Sequence, residues 1–525
     1  FPQPTPHLNM APHPSFNGNH STDFIMDVDE NLNYLQYVLS LDGNVIDDLF
    51  DLVPQSPIVF NPQQSFSSKL SGINFQLNHY FEKQRSLTVP FTKDEFDCIN
   101  KEHHNLYTEY TNLKNELETE LSSSILNPLK LSEVNELICE IDIAVKKLQL
   151  YNNELVYYYS NEYKSTNKCF CDLIITNQPF PKPFKHKTRA HDTNCEEPLT
   201  VQIITAPKSN CRPIGLVTST FKIEEYTPGK NQFEILNSEA EIDEYGTARF
   251  HELRFPSGSR KKMVQMQFKV KVKYAHHDST IGETILQSIQ TKPFIVMTNE
   301  NQWIDSEFDL FKYAAFKDAN SISWFKFANV LQDRYLRATR QDLKDPQRPL
   351  SQRELHYLWY SKYLNGKSQI TLNDFESFWK WFGQVMHKIR HQKPFASMWL
   401  QGHVFGFIGR DDTKALLQSK PNGSFLIRFS EQIGGGIVIA FVHIHPLLVQ
   451  KQVDHYLLTP KELDDIVDVI AKYAVLKWIL PTTINFESRN IRCAGEVIEK
   501  KLIVEKHSTP IKPRRHTLGY VSSLG

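Results

Sequence analysis

The sequence has no run of about eighteen apolar residues, the least that would cross a bilayer as a helix, so no membrane span is expected. It has no glycine-rich nucleotide loop, no His-Arg-Asp or Asp-Phe-Gly triplet and no cysteine-centred phosphatase loop, so an enzyme is not expected. Cysteine is sparse. The seven residues Cys98, Cys139, Cys169, Cys171, Cys195, Cys211 and Cys493 are odd in number and scattered, which suits reduced thiols in cytosol or nucleus. Cys169, Cys171 and Cys195, with His191 nearby, invite a zinc reading, but their spacing fits no standard ligand pattern. Reduced thiols are the expectation, with no metal and no cofactor. Charge of one sign is also missing. Lysine and arginine total 59 against 60 acidic residues, a net charge of −1, so any nucleic-acid contact needs a local basic surface. No secretory signal opens the sequence, and its first residue is Phe1, so a fragment of a longer chain is expected.

What is present falls into blocks. The 525 residues allow three or four domains. Residues 1–22 are rich in Pro, His and Asn and read as a disordered leader. Residues 23–165 read as a helical bundle. Leu106, Tyr110, Leu113, Leu117 and Leu121 recur at four- and three-residue steps, and Val134, Ile138, Ile141, Val145, Leu148, Asn152, Leu155 and Tyr159 repeat the pattern. Asn127-Pro128 breaks the two runs and favours an antiparallel hairpin over a dimeric coiled coil.

From 166 to 305 the helical period vanishes. Strands are predicted at Leu199–Thr205, Leu216–Glu225, Phe250–Phe255, Met263–Tyr274 and Phe294–Thr298, at the spacing of a β-sandwich. In the fourth, Val264, Met266, Phe268, Val270 and Val272 alternate with Gln265, Gln267, Lys269, Lys271 and Lys273. Arg260, Lys261 and Lys262 precede it. The lysine face is either solvated or turned to DNA. Residues 306–397 read as a helical connector whose aromatics, Trp324, Phe325, Phe327, Trp359, Phe375, Phe378, Trp379, Trp381 and Phe382, are expected in a core. Asn373-Asp374 suggests a calcium loop, but the other ligands and the loop glycine of an EF-hand are missing.

The stretch from Gly423 to Glu431 is the most informative. Its apolar strand carries one arginine, Arg428, where burial penalises a charge without a partner. Either a local carboxylate on an edge strand answers it, or a phosphate does, which matches the planar guanidinium fork. Ser430, two residues on, shares its face. Gly406 to Arg410 leads into a short helix with Asp411 and Asp412 at its N-terminus, and Arg410 adds a second cation. Gly434 to Gly436 reads as a flexible hairpin turn. Thr459 to Glu462 is a capping box opening a helix with Leu463, Ile466, Val467, Ile470 and Tyr473 on one face.

Helix, strands, helix, with arginine on the first long strand, resembles an SH2 domain over residues 398–500. Met398 to Ile408 joined to that motif is similar to the SH2 domain of STAT proteins, the signal transducers and activators of transcription. The order of bundle, sandwich, connector, SH2 and tail is also theirs. The resemblance implies a multidomain α and β fold: antiparallel helical bundle, immunoglobulin-like DNA-binding sandwich, helical linker, SH2 (α+β) domain and a tail at 501–525. It implies phosphotyrosine binding by Arg428, Arg410, Ser430 and Glu431. Gln432 stands where the family usually has a second serine, and its amide can still donate. The family's regulatory phosphotyrosine falls on Tyr520, with Val521-Ser522 where a lysine often follows at the second position. Lys230, in a stretch like a DNA-touching family loop, and Asn299, at a strand end facing the major groove, are implied DNA contacts. Arg260, Lys261 and Lys262 join them on charge alone. The implied function is a transcription factor that a tyrosine kinase switches on. It pairs with a second copy of itself through phosphotyrosine, moves from cytoplasm to nucleus and binds palindromic double-stranded DNA, with no membrane partner. The alternative is a cytosolic SH2 adaptor without DNA binding.

Overall fold

The computed structural model describes residues 65–164, 166–179, 198–209, 211–222, 235–251, 253–256, 258–259, 262–275, 281–444, 450–459, 462–463, 465–484, 491–493 and 497–507. All of them lie in one compact unit. The described residues open with three long helices, α1 (Phe66–Ser86), α2 (Lys93–Ser123) and α3 (Pro128–Tyr159). Thr92 and Glu95 form a reciprocal cap that starts α2, and Asn127 with Pro128 starts α3. The seam closes as an intramolecular bundle: Leu106, Tyr110, Leu113 and Leu117 of α2 pack with Val134, Ile141, Leu148 and Leu155 of α3.

Two sheets follow, formed by β1 (Cys171–Asn177), β2 (Leu199–Thr205), β3 (Cys211–Lys222), β4 (Glu239–Ala240), β5 (Thr247–Phe250), β6 (Gln265–Ala275) and β7 (Ile281–Gln287). Their orders are β1-β2-β5 and β4-β3-β6-β7. Val264, just ahead of β6, and the alternate residues Met266, Phe268, Val270 and Val272 on it are buried between the sheets. Each such side chain contributes about 1.5–3 kcal/mol by leaving water. On the outer face Lys271 and Lys273 both pair with Glu283 of β7. Both lysines are exposed.

Some strand limits differ from those predicted. Phe250–Phe255 is not one strand: β5 ends at Phe250, and Arg254 makes only an isolated bridge to Leu236. Phe294–Thr298 is likewise not a strand. Phe294 bridges Val264, and Val296 is held by the backbone and hydroxyl of Ser259 instead of by a neighbouring strand. β1 and β7 carried too little alternation to be predicted.

The connector comprises α4 (Trp303–Phe316), β8 (Ser321–Ser323), α5 (Trp324–Ala338), α6 (Gln352–Trp359), β9 (Gln369–Thr371), α7 (Leu372–His391) and α8 (Lys393–Leu400). Its aromatics are core, except that Phe325 is exposed because it falls on the outer face of α5. The tip of the α2–α3 hairpin docks on α5. Asn329 accepts from the Leu126 amide at 2.9 Å and donates to the carbonyls of Leu121 and Ser124 at 2.9 and 2.8 Å.

The last sheet runs β12-β11-β10-β13-β16, from β10 (Ser424–Phe429), β11 (Ile437–Ile444), β12 (Lys451–Leu457), β13 (Trp478–Ile479) and β16 (Ile498–Glu499); β14 (Thr482–Ile484) and β15 (Ile491–Cys493) form a separate pair. It is flanked by α9 (Arg410–Gln418), α10 (Ile466–Lys472) and α11 (Lys500–His507). Thr459 and Glu462 exchange the capping-box bonds. Leu463, Ile466, Val467 and Ile470 are buried as expected, but Tyr473 is exposed, at the C-cap where the helix has ended. Phe425, Ile427 and Phe429 of β10 join the connector core, so connector and sheet share one interior.

Candidate phosphate-binding site

β10 alternates, and its register decides where Arg428 goes. Phe425, Ile427 and Phe429 face the connector, while Leu426 packs on the opposite side with Leu417 of α9. Arg428 shares the Leu426 face. It is 5 % exposed, and β10 is the middle strand of five. The edge-strand reading of Arg428 is therefore not the one the fold adopts. Among the described residues no carboxylate lies in ion-pairing range of its guanidinium. One terminal nitrogen donates to the Phe429 carbonyl at 3.2 Å, and Nε is buried without a partner. Burial presses the guanidinium pKa below its ordinary value, and Glu431 and Tyr357 oppose that drop. A buried cation with an unused donor is costly unless an anion completes it.

The residues around it come from five directions. Arg410 is exposed at the first turn of α9, and its backbone N–H donates to Glu431 Oε1 at 3.1 Å. Glu431 thus places a carboxylate at the helix N-terminus, where the macrodipole stabilises it. Ser430 is buried, and its Oγ accepts from the amides of Gln432 and Ile433 at 3.3 and 3.2 Å. Its hydroxyl proton remains available to donate. Gln432 is exposed on the turn. The fold thus brings Arg428, Arg410, Ser430 and Glu431 into one neighbourhood, with Gln432 at its rim.

Three contributors were not legible in the sequence. His455 of β12 is opposite Ala440 and half-buried; burial first, then Arg428 and Arg410, push its pKa down to about 4. It is a neutral imidazole at neutral pH. Tyr357 comes from α6 of the connector, and burial with the nearby Glu431 charge raises its phenol pKa. Trp381 of α7 donates from its indole to the Ser430 carbonyl at 2.8 Å. No sequence spacing links these residues to Arg428. Only the shared core does.

The glycines after the site form the β10–β11 turn and lie close against α7. A Cβ on Gly434 would meet the Lys380 carbonyl at 3.1 Å, and Gly435, at φ +67°, faces the Gln384 carbonyl at the same distance. They let the turn sit directly on α7. The arrangement as a whole, a second cation, a hydroxyl donor and a helix N-terminus around the buried Arg428 guanidinium, suits a compact dianion.

The sandwich places the implied DNA contacts unevenly. Asn299 is exposed and makes no capping bond with its side chain. Lys262 is exposed, and its segment runs beside that of Val296 through the Ser259 bonds. Lys230, Arg260, Lys261 and Tyr520 lie outside the described residues. At the connector, Asp374 closes the α7 cap with Thr371 and pairs with Lys367 at 2.7 Å, so its carboxylate serves the helix start.

Comparison with known proteins bears on each part. Residues 171–297 match the STATa immunoglobulin-like domain model, residues 403–473 the SH2 domain model, and residues 299–392 the EF-hand fold domain model. The chain is 31 % identical over 421 residues to signal transducer and activator of transcription B of Dictyostelium discoideum, covering 75 % of this chain and 35 % of that protein. It is 31 % identical over 360 residues to signal transducer and activator of transcription A of the same organism, covering 67 % of this chain and 49 % of that one. The chain belongs to the STAT family. A more distant STAT, signal transducer and activator of transcription 1 of Caenorhabditis briggsae, is 26 % identical over 191 residues, 30 % of this chain and 26 % of its own length. The chain spans less than half the length of each of these curated relatives. The EF-hand match within this STAT chain follows the helix–loop–helix pairs joined by β8 and β9, whose Ile322 and Ile370 are in register. The STAT fold is as expected: helices, an immunoglobulin-like sandwich and an SH2 domain. No helix among the described residues is long and apolar enough to cross a membrane.

Proposed function

We propose that this chain is the working part of a phosphotyrosine-switched transcription factor. The observation that carries the reading is Arg428: a buried guanidinium on a central strand, with Nε unpartnered, beside the N-terminus of α9. A phosphotyrosine brings about −1.5 to −2 charge and three acceptors. Arg428 takes the phosphate in its fork, Arg410 closes over it from the helix, and Ser430 donates its hydroxyl. Glu431 positions Arg410 through its backbone, and neutral His455 lines the far wall.

The ligand we propose is phosphorylated Tyr520 of a second copy, docked reciprocally. Each charge-assisted bond is worth about 1.5–3 kcal/mol, and two docked tails act with high effective concentration. A tyrosine kinase is the upstream partner. The dimer enters the nucleus and holds double-stranded DNA between paired sandwiches, with Lys230, Asn299, Arg260, Lys261 and Lys262 as contacts. Domain limits at 23–165, 166–305, 306–397 and 398–500 are part of the same proposal.

The ion-paired lysines of β6 favour one rival, a cytosolic adaptor whose sandwich does not touch DNA. The deciding experiment is the sedimentation mass before and after tyrosine phosphorylation. We expect a monomer to become a dimer, and Arg428→Ala or Tyr520→Phe to stay monomeric. A dimer that forms in Arg428→Ala overturns the reading. A gel shift across salt concentrations separates factor from adaptor, because true DNA binding weakens steeply with salt.

A further inference from the structure

Among the described residues, the thiols of Cys169, Cys171 and Cys211 converge, with their sulfurs all within 4.8 Å of one another. Sequence spacing could not show this trio. Cys169 and Cys171 precede and open β1, whereas Cys211 opens β3 in the other sheet. The sandwich topology brings the two strand starts to one end. The other members of the sequence-based set, His191 and Cys195, lie outside the described residues.

We propose that Cys169, Cys171 and Cys211 form a three-thiolate site for a soft metal ion. Three sulfurs bound to one ion at about 2.3 Å stand about 3.8 Å apart, well inside the observed limit, so closure needs only small rotations. Thiolate sets select soft ions: Zn²⁺, with solvent as a fourth ligand, or Cu⁺, content with three. Cys171 is buried while Cys169 and Cys211 are half-buried, so the site has a dry floor and an open mouth. Without an ion the thiols hold each other's protons. Hydrogen bonding with Cys169 and burial push Cys211 up to about 12, and hydrogen bonding with Cys169 and Cys211 together with burial raises Cys171. An ion inverts that logic and takes all three as thiolates.

The site sits at a joint. Phe170, between two of the ligands, packs its ring 5.0 Å from Tyr157 of α3, and its carbonyl accepts from Ala206 at 2.9 Å. Tyr274 faces Cys211 across the β3–β6 register. A bound ion therefore pins both sheets of the sandwich to the end of the bundle. Binding is a simple exchange in which one ion enters and the thiol protons leave to solvent.

The test uses the whole chain, purified reduced. Titration with Zn²⁺, and separately with Co²⁺ as its spectroscopic stand-in, should give one equivalent bound, a thiolate-to-cobalt charge-transfer band and release of about three protons per ion. Titration with Cu⁺ under the same conditions tells whether the three-coordinate ion is preferred. Cys211→Ser, at a half-buried strand start, should lose the band and the stoichiometric ion while keeping its circular dichroism. Cys171→Ser is the stricter variant and carries a folding risk that Cys211→Ser avoids. Cys98→Ser with Cys139→Ser, both on exposed bundle faces, should bind as the parent does. No stoichiometric binding of either ion, or a band that survives in Cys211→Ser, overturns the proposal.

Discussion

The guanidinium of Arg348 lies 3.4 Å from the centre of the Trp399 indole, and neither side chain is exposed. Arg348 also donates to the carbonyls of Trp399, Val404 and Phe405 and pairs with Glu354 at 3.5 Å. Gly406 is at φ +93°, and a Cβ there would lie 2.6 Å from the Trp399 ring. One arginine thus ties the connector to the segment that runs beside β10, where Phe429 donates to the Gly406 carbonyl at 3.0 Å. Removing one partner of a buried charged set costs about 3–5 kcal/mol. We predict that Arg348→Ala lowers urea stability by that order and weakens phosphopeptide binding without touching the ligand. Arg348→Lys should recover little, since lysine lacks the planar fork. A variant that melts with the parent would show that the stack holds nothing.

The Asn329 amide is a principal link between the bundle and the connector. Asn329 is 2 % exposed and makes three hydrogen bonds to the α2–α3 turn. Each buried backbone group left unpaired costs about 1–3 kcal/mol. Asn329→Leu is predicted to destabilise by about 2–4 kcal/mol after partial relaxation. Hydrogen exchange should localise the loss at Leu126 and the start of α3. Exchange that rises evenly over the chain would argue against a local joint.

These two contacts mark the limit of the sequence. Periodicity located the helices, because the seam of α2 and α3 repeats with helical spacing. Alternation located β6, because one face is apolar. Arg428 stood out because a charge interrupted an apolar strand. Joints carry no such period. Asn329, Arg348, Tyr357 and Trp381 looked like ordinary residues, and each gained its role from a partner distant in the chain. The extended segment at Phe294 was read as a strand because it is apolar throughout. Phe294 bonds to Val264 ahead of β6 and Val296 to the Ser259 loop, a split that composition does not encode.

A pair of buried imidazoles ties down α11. His403 Nδ1 and His507 Nε2 are 2.8 Å apart, so one ring donates and the other accepts. Burial lowers both pKa values, that of His403 to about 4, with the neighbouring His507, Lys506 and Arg348 charges adding to it. A depressed folded pKa means the unfolded chain takes the proton first. The stabilisation is then complete above the unfolded value near 6.5 and is lost as pH falls toward about 4. We predict that α11 loosens across that window, seen as faster exchange at Ile503. His507→Gln should flatten the pH dependence. An α11 equally protected at pH 4.5 and 7.5 would refute the coupling.

Arg428 should act against stability in the free chain. Its side chain is buried, its Nε is unpaired, and burial already depresses its pKa. Replacing an uncompensated buried charge with an apolar side chain of similar length removes that desolvation cost. We predict that Arg428→Met raises urea stability by on the order of 1 kcal/mol or more and abolishes phosphopeptide binding. Arg428→Lys, keeping the charge without the fork, should bind weakly and gain no stability. The two readouts must move in opposite directions for the residue to be held for a ligand. If Arg428→Met is less stable than the parent, the arginine belongs to the architecture of β10, and its buried charge is satisfied within the fold.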